Sequence, residues 1–202
     1  MPLQPTSPTG TPLTAEQLNS LERAAGAYRE LRRCAFWAAC SGISTLAIGV
    51  LSLGCLSFGL ATGLVAVVVL LSVGTIELIG RQKLLNADPK APKLLAYNQL
   101  AFIAAITIYC GVQMATLSIK KTITEMNNSP ELGGQVDINE LFSKESQKQL
   151  QYAVYGFYGI VALLAWISQG RLALYYWRKK PAVEAFNATP EWQKQLVRNM
   201  SK

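Results

Sequence analysis

Cys34–Gly80 reads CAFWAACSGISTLAIGVLSLGCLSFGLATGLVAVVVLLSVGTIELIG, and its first charged residue is Glu77. As one helix a stretch of about 47 residues would be roughly 70 Å long. The hydrocarbon core of a bilayer is only about 30 Å thick. The stretch is therefore predicted to cross a membrane twice. The natural break is Leu53-Gly54-Cys55-Leu56-Ser57, where small residues permit a tight turn. The first span is expected over 34–53 and the second over 57–80.

Two further neutral runs lie outward from this stretch, Leu94–Ile119 and Gln149–Gly170. They predict a third span over 99–119 and a fourth over 151–177. Hydrocarbon offers no water to the backbone, so a span must be a helix or part of a closed barrel. Barrel strands alternate polar and apolar residues, and these runs do not. The expected fold is all-α: an integral membrane four-helix bundle of two transmembrane hairpins with short cytoplasmic amphipathic helices. Charged residues make up 15% of the chain, against about a quarter in a soluble domain.

The flanking charges set the expected orientation. With the N-terminus inside, fifteen of the nineteen lysines and arginines fall on inner segments. Only Lys120, Lys121, Lys144 and Lys148 fall outside. The positive-inside rule then puts both termini in the cytoplasm, in the cell membrane or, for a bacterium, the inner membrane. The net charge of +7 is explained by this asymmetry, and nucleic acid is not an expected partner. The first 33 residues hold no early apolar segment of the signal-peptide kind, so insertion is expected to be driven by the first span itself.

Residues 1–13 are Pro-rich and are expected to be a disordered tail. Thr14 and Gln17 have capping-box spacing. Leu18, Leu21, Ala25, Tyr28 and Leu31 then recur every three or four residues, predicting an amphipathic helix over 14–33 that runs into the first span. It is expected to lie on the inner membrane surface or on the bundle, or to bind a partner. Residues 81–98 read as a basic cytoplasmic turn broken at Asp88-Pro89. Residues 120–150 form the external segment, with loop chemistry at Asn127-Asn128-Ser129-Pro130 and a helix expected from Ile138. Within the basic tail, 178–202, Thr189-Pro190-Glu191 opens a short helix whose apolar stripe is Trp192, Leu196 and Met200, expected on the inner leaflet.

The chain has no histidine, which removes the usual general base and the commonest metal ligand. Its four cysteines lie in or beside apolar runs without CxxC spacing, and read as small packing residues. No GxSxG, Walker loop or paired intramembrane aspartates occur. The expected function is a non-enzymatic scaffold or accessory subunit without a cofactor. Its expected partners are the bilayer, anionic inner-leaflet lipids, and a second copy or another membrane protein.

The one carboxyl inside a span is Glu77. Such a group is by default a functional candidate. By depth it shares the inner interface with Arg81, Asn98, Gln99, Gln169 and Arg171. This cluster is expected either to clasp helix ends, with Glu77 paired to Arg81 or Arg171, or to make Glu77 the proton or cation site of a small transporter or channel. Gly59 with Gly63, and Gly111 with Ala115, have the small-xxx-small spacing that lets helices approach closely in lipid. Ser41, Gly42 and Thr45 give the first span a similar face.

Overall fold

The computed structural model describes residues 12–53, 60–116 and 144–200. Residues 1–11 of the expected tail over 1–13, the first hairpin tip with Cys55 and Gly59, and residues 120–143 of the expected external segment lie outside them. The described residues form α1 (Ala15–Ser52), α2 (Leu60–Leu85), α3 (Ala91–Thr116), α4 (Lys144–Trp177), α5 (Lys180–Asn187) and α6 (Glu191–Met200). Four of these helices are long and apolar enough to span a membrane.

The amphipathic segment and the first span are one helix. Thr14 opens α1 with a reciprocal capping box: its hydroxyl accepts from the Gln17 amide, and the Gln17 side chain accepts from the Thr14 amide. The residues α1 buries are Leu21, Ala24, Tyr28, Leu31, Cys34, Ala35, Ala38, Gly42, Thr45 and Gly49. Apart from Cys34, they alternate in steps of three and four, a 3.5-residue repeat that keeps one seam of the helix turned inward. Along the seam the residues shrink, from Leu and Tyr to Ala and Gly.

The exposed face of α1 changes in the opposite sense. Up to Arg33 it carries Glu22, Arg23, Arg29, Glu30 and Arg32. Beyond it come Phe36, Trp37, Ile43, Ile48, Val50 and Leu51, each more than half exposed. In α4 the order reverses. Tyr152, Phe157, Ile160, Leu163, Leu164 and Trp166 face outward, and exposed Arg178 follows the end of the helix. On each of the two helices these side chains leave a run of exposed apolar surface, which is unfavourable in water.

The chain divides into two compact units, Met1–Leu100 with Arg171–Lys202, and Ala101–Gly170. In the first, α1 and α2 pack along their length. A Cβ added to Gly74 would fall 2.9 Å from the Gly42 carbonyl oxygen and 2.6 Å from Leu46 Cγ. Only glycine lets the two backbones come this close. At the N-terminal end of α1, Leu21, Tyr28 and Leu31 share a core with Leu84, Leu95, Tyr176, Phe186 and Val197. This core joins α1, the α2–α3 turn, the end of α4, and α5 and α6 into a helical cap. In the second unit, Trp166 Nε1 donates to Thr107 Oγ1 at 3.0 Å, and Tyr109 meets Tyr158 edge to face.

Three features of the cap differ from expectation. The helix α5 is additional: Pro181, which cannot donate a backbone hydrogen bond, stops α4 and sits in the first turn of a new helix. The α6 helix buries Gln193 and Val197 rather than a Trp192–Leu196–Met200 stripe, and Met200 is 61% exposed. The physical reason is that α6 seats against α1, where Gln193 Nε2 donates to Ser20 Oγ at 2.7 Å. Finally, Leu18 of α1 is exposed and Ala24 takes the seam position. The seam runs on the 3.5-residue repeat set by the whole helix, not on its first turns alone.

Candidate functional site

Glu77 lies on α2 one turn before Arg81 and has no exposed surface. Hydrogen-bond donors reach it from two other helices. Ser41 of α1 donates to Glu77 Oε1 at 3.0 Å, and Gln99 Nε2 of α3 donates to the same oxygen. One turn back along α2, Asn98 Nδ2 donates to the Val73 carbonyl at 3.1 Å. Helices α1, α2 and α3 are thus tied by side-chain bonds at one level. The close approach at Gly42 makes this possible, because an added Cβ there would lie 3.1 Å from Glu77 Cβ. Ser41 is therefore held against the carboxyl by the backbone packing beside it.

The second carboxylate oxygen, Oε2, is buried and has no hydrogen-bond partner. The same is true of Gln99 Oε1 and of the Tyr176 hydroxyl. Tyr176, on α4, is fully buried and lies within electrostatic reach of Glu77. Among the described residues the groups bonded to the carboxyl are neutral, and buried oxygens on three helices have no hydrogen-bond partner.

The expected residues divide accordingly. The structure brings Glu77, Gln99 and Asn98 together. Among the described residues no ion pair joins Glu77 to Arg81 or Arg171, and both arginines are exposed. The contacts at Glu77 are hydrogen bonds to neutral side chains. Gln169 belongs to the other compact unit, half-buried with an unpartnered Oε1. Of the packing residues, Gly63 is half-buried, Ala115 is exposed, and nothing lies within 4 Å of a Cβ placed on Gly111. Gly59 is outside the described residues.

Sequence reasoning did not join Ser41 or Tyr176 to Glu77. Ser41 carried a signal, its place beside Gly42 in a small-residue face. Tyr176 carried a misleading one, because Tyr175-Tyr176-Trp177 reads as an interfacial aromatic belt. Tyr175 is partly buried and Trp177 is 49% exposed, but Tyr176 points into the core. Cys34 and Cys110 are buried free thiols, and Cys40 is an exposed one. Comparison with protein-family models, curated proteins and solved structures finds no match to this chain.

Proposed function

We propose that this chain is an integral multi-pass membrane protein with both termini in the cytoplasm. Its four long helices form a membrane bundle, and it acts as a non-enzymatic scaffold or accessory subunit. The observation that carries this reading is the helical cap. The N-terminal half of α1, the α2–α3 turn and α5–α6 share one core, so three basic segments are gathered together. That arrangement supports the orientation expected from the fifteen-to-four charge count.

The cap also narrows what a partner can engage. The apolar faces of α1, α5 and α6 are spent on each other, so a free amphipathic helix is not what the cap offers. Its surface presents Arg29, Arg33, Lys90, Lys93, Arg178 and Lys180. This favours anionic headgroups or an acidic protein surface near the inner leaflet. Purification from native membrane in mild detergent should recover a stoichiometric partner or a homo-oligomer. Recovery of a lone monomer would count decisively against the scaffold reading.

A further inference from the structure

The buried cluster around Glu77 leaves three oxygens without a hydrogen-bond partner, two of them able only to accept when the carboxyl is ionised. Oε1 is satisfied by Ser41 and Gln99, whereas Oε2, Gln99 Oε1 and the Tyr176 hydroxyl have no partner. These oxygens come from α2, α3 and α4. A buried carboxylate without positive charge costs several kcal/mol. The groups acting on Glu77 from neighbouring elements are Ser41 and Gln99, both neutral donors. The titratable groups beyond them are Tyr176 and, around Tyr176, the thiols of Cys34 and Cys40 on α1 and the phenol of Tyr175 on α4. Arg81, the nearest cation along α2, is exposed.

A hydrogen-bond clasp alone would not need a carboxyl here, because a glutamine would accept the same two bonds with no charge to bury. What a carboxyl adds is a second oxygen able to hold a positive charge. We infer that Glu77, Gln99 and Tyr176 form a binding site for one small monovalent cation, a proton or a sodium ion, inside the helical bundle. A bound proton resides on Glu77 Oε2 and turns it into a donor toward the unpartnered oxygens. A bound sodium ion accepts lone pairs from the same oxygens. Either way the charge is neutralised in place, and occupancy links α2, α3 and α4. This goes beyond the scaffold reading and does not depend on any partner.

The test is thermal unfolding of the purified full chain in detergent micelles, read by tryptophan fluorescence. A Cys34→Ala, Cys40→Ala background removes thiol ionisation. In the sodium arm, NaCl replaces choline chloride at constant ionic strength and fixed pH. In the proton arm, pH is varied without sodium. Saturation at a hundredfold excess over Kd should raise Tm by roughly 5–10 °C. A sodium site gives that rise with NaCl. A proton site gives a fall in Tm as pH rises, because the native state then loses a proton that stabilised it.

Glu77→Gln should abolish whichever response the parent shows. Tyr176→Phe, which keeps the ring and removes only the oxygen, should weaken apparent affinity by about tenfold, one hydrogen-bond equivalent. Identical responses in the parent and Glu77→Gln overturn the proposal. If Glu77→Gln does not fold, Tyr176→Phe decides: an unchanged sodium and pH response overturns it, and a weakened one supports it. A parent that responds to neither ion has a purely structural clasp, and the proposal fails.

Discussion

The side-chain amide of Asn187 donates to the backbone carbonyl of Ala87 at 2.8 Å. The bond ties the end of α5 to the turn that follows α2. Ala87 is buried and has a left-handed backbone with φ of 57°. Its amide bonds back to Leu84, and the next amide, of Asp88, bonds back to Lys83. These two bonds are the Schellman closure of a helix, a position that usually takes glycine. An L-residue there costs about 1–2 kcal/mol. The turn is thus strained, and it is held by what packs on it.

Substitutions at this turn should separate the two effects. Ala87→Gly relieves the left-handed penalty, but it deletes a buried methyl worth about 0.8 kcal/mol and loosens the unfolded chain by about 0.4–1 kcal/mol. These nearly cancel, so Tm should move by no more than a few degrees. Ala87→Val adds a β-branch where φ is positive and should cost more than about 1 kcal/mol. Asn187→Ala should cost about 1 kcal/mol by leaving the carbonyl without its donor. A drop for Ala87→Gly as large as that for Ala87→Val would mean that backbone strain is not the governing term.

Glycine substitutions in α1 and α2 should have opposite signs. At Gly74 an added methyl meets the Gly42 carbonyl, which is backbone and cannot rotate away. Gly74→Ala should destabilise by about 1–3 kcal/mol, with the usual helix gain of about 1 kcal/mol unable to offset it fully. At Gly26 nothing lies within 4 Å of the new methyl. Gly26→Ala should therefore stabilise by about 0.5–1 kcal/mol. Thermal unfolding in micelles measures both, and a shared sign would contradict the close approach of Gly74 to the Gly42 carbonyl.

The cap rests on Phe186, which is fully buried and stacks on Tyr28 with ring centroids 5.2 Å apart. Phe186→Ala should cost about 3–5 kcal/mol. The loss is local, so α5 and α6 should detach before the long helices do. Limited proteolysis should then cut between Lys180 and Arg198 at least tenfold faster, while the total helix content by circular dichroism falls only slightly. An unchanged cutting rate would mean that the aromatic pair does not hold the cap.

The four long helices were legible in the sequence because each depends on a local quantity, the length of an uncharged run set against the thickness of a bilayer. The capping box at Thr14 is equally local. What stayed hidden depends on pairing between distant segments. The seam of α1 could not be phased from its first turns, because its small-residue half is chosen by α2. The face of α6 could not be read from apolar residues alone, because Ser20, more than 170 positions away, accepts the buried Gln193 amide. At the site, Glu77 and Gln99 stood out as polar residues in apolar surroundings. Tyr176 did not, since a tyrosine near a span end looks the same whether it faces lipid or core.

Orientation is the prediction with the widest consequence, and the cap sharpens it. Charge counting alone would allow a single hairpin to invert independently. A shared core does not, because Lys90 follows the turn after α2 and Asn199 lies in the last turn of α6, and both elements contribute to that core. Single cysteines placed at these exposed positions, Lys90→Cys and Asn199→Cys, should therefore always report the same side. In a chain whose native cysteines are replaced by alanine, a membrane-impermeant maleimide should reach neither in intact cells and both after the membrane is opened. Gly134→Cys, in the segment expected outside, should label in intact cells. Labelling of Lys90→Cys from outside would reverse the orientation, and disagreement between Lys90→Cys and Asn199→Cys would break the cap itself.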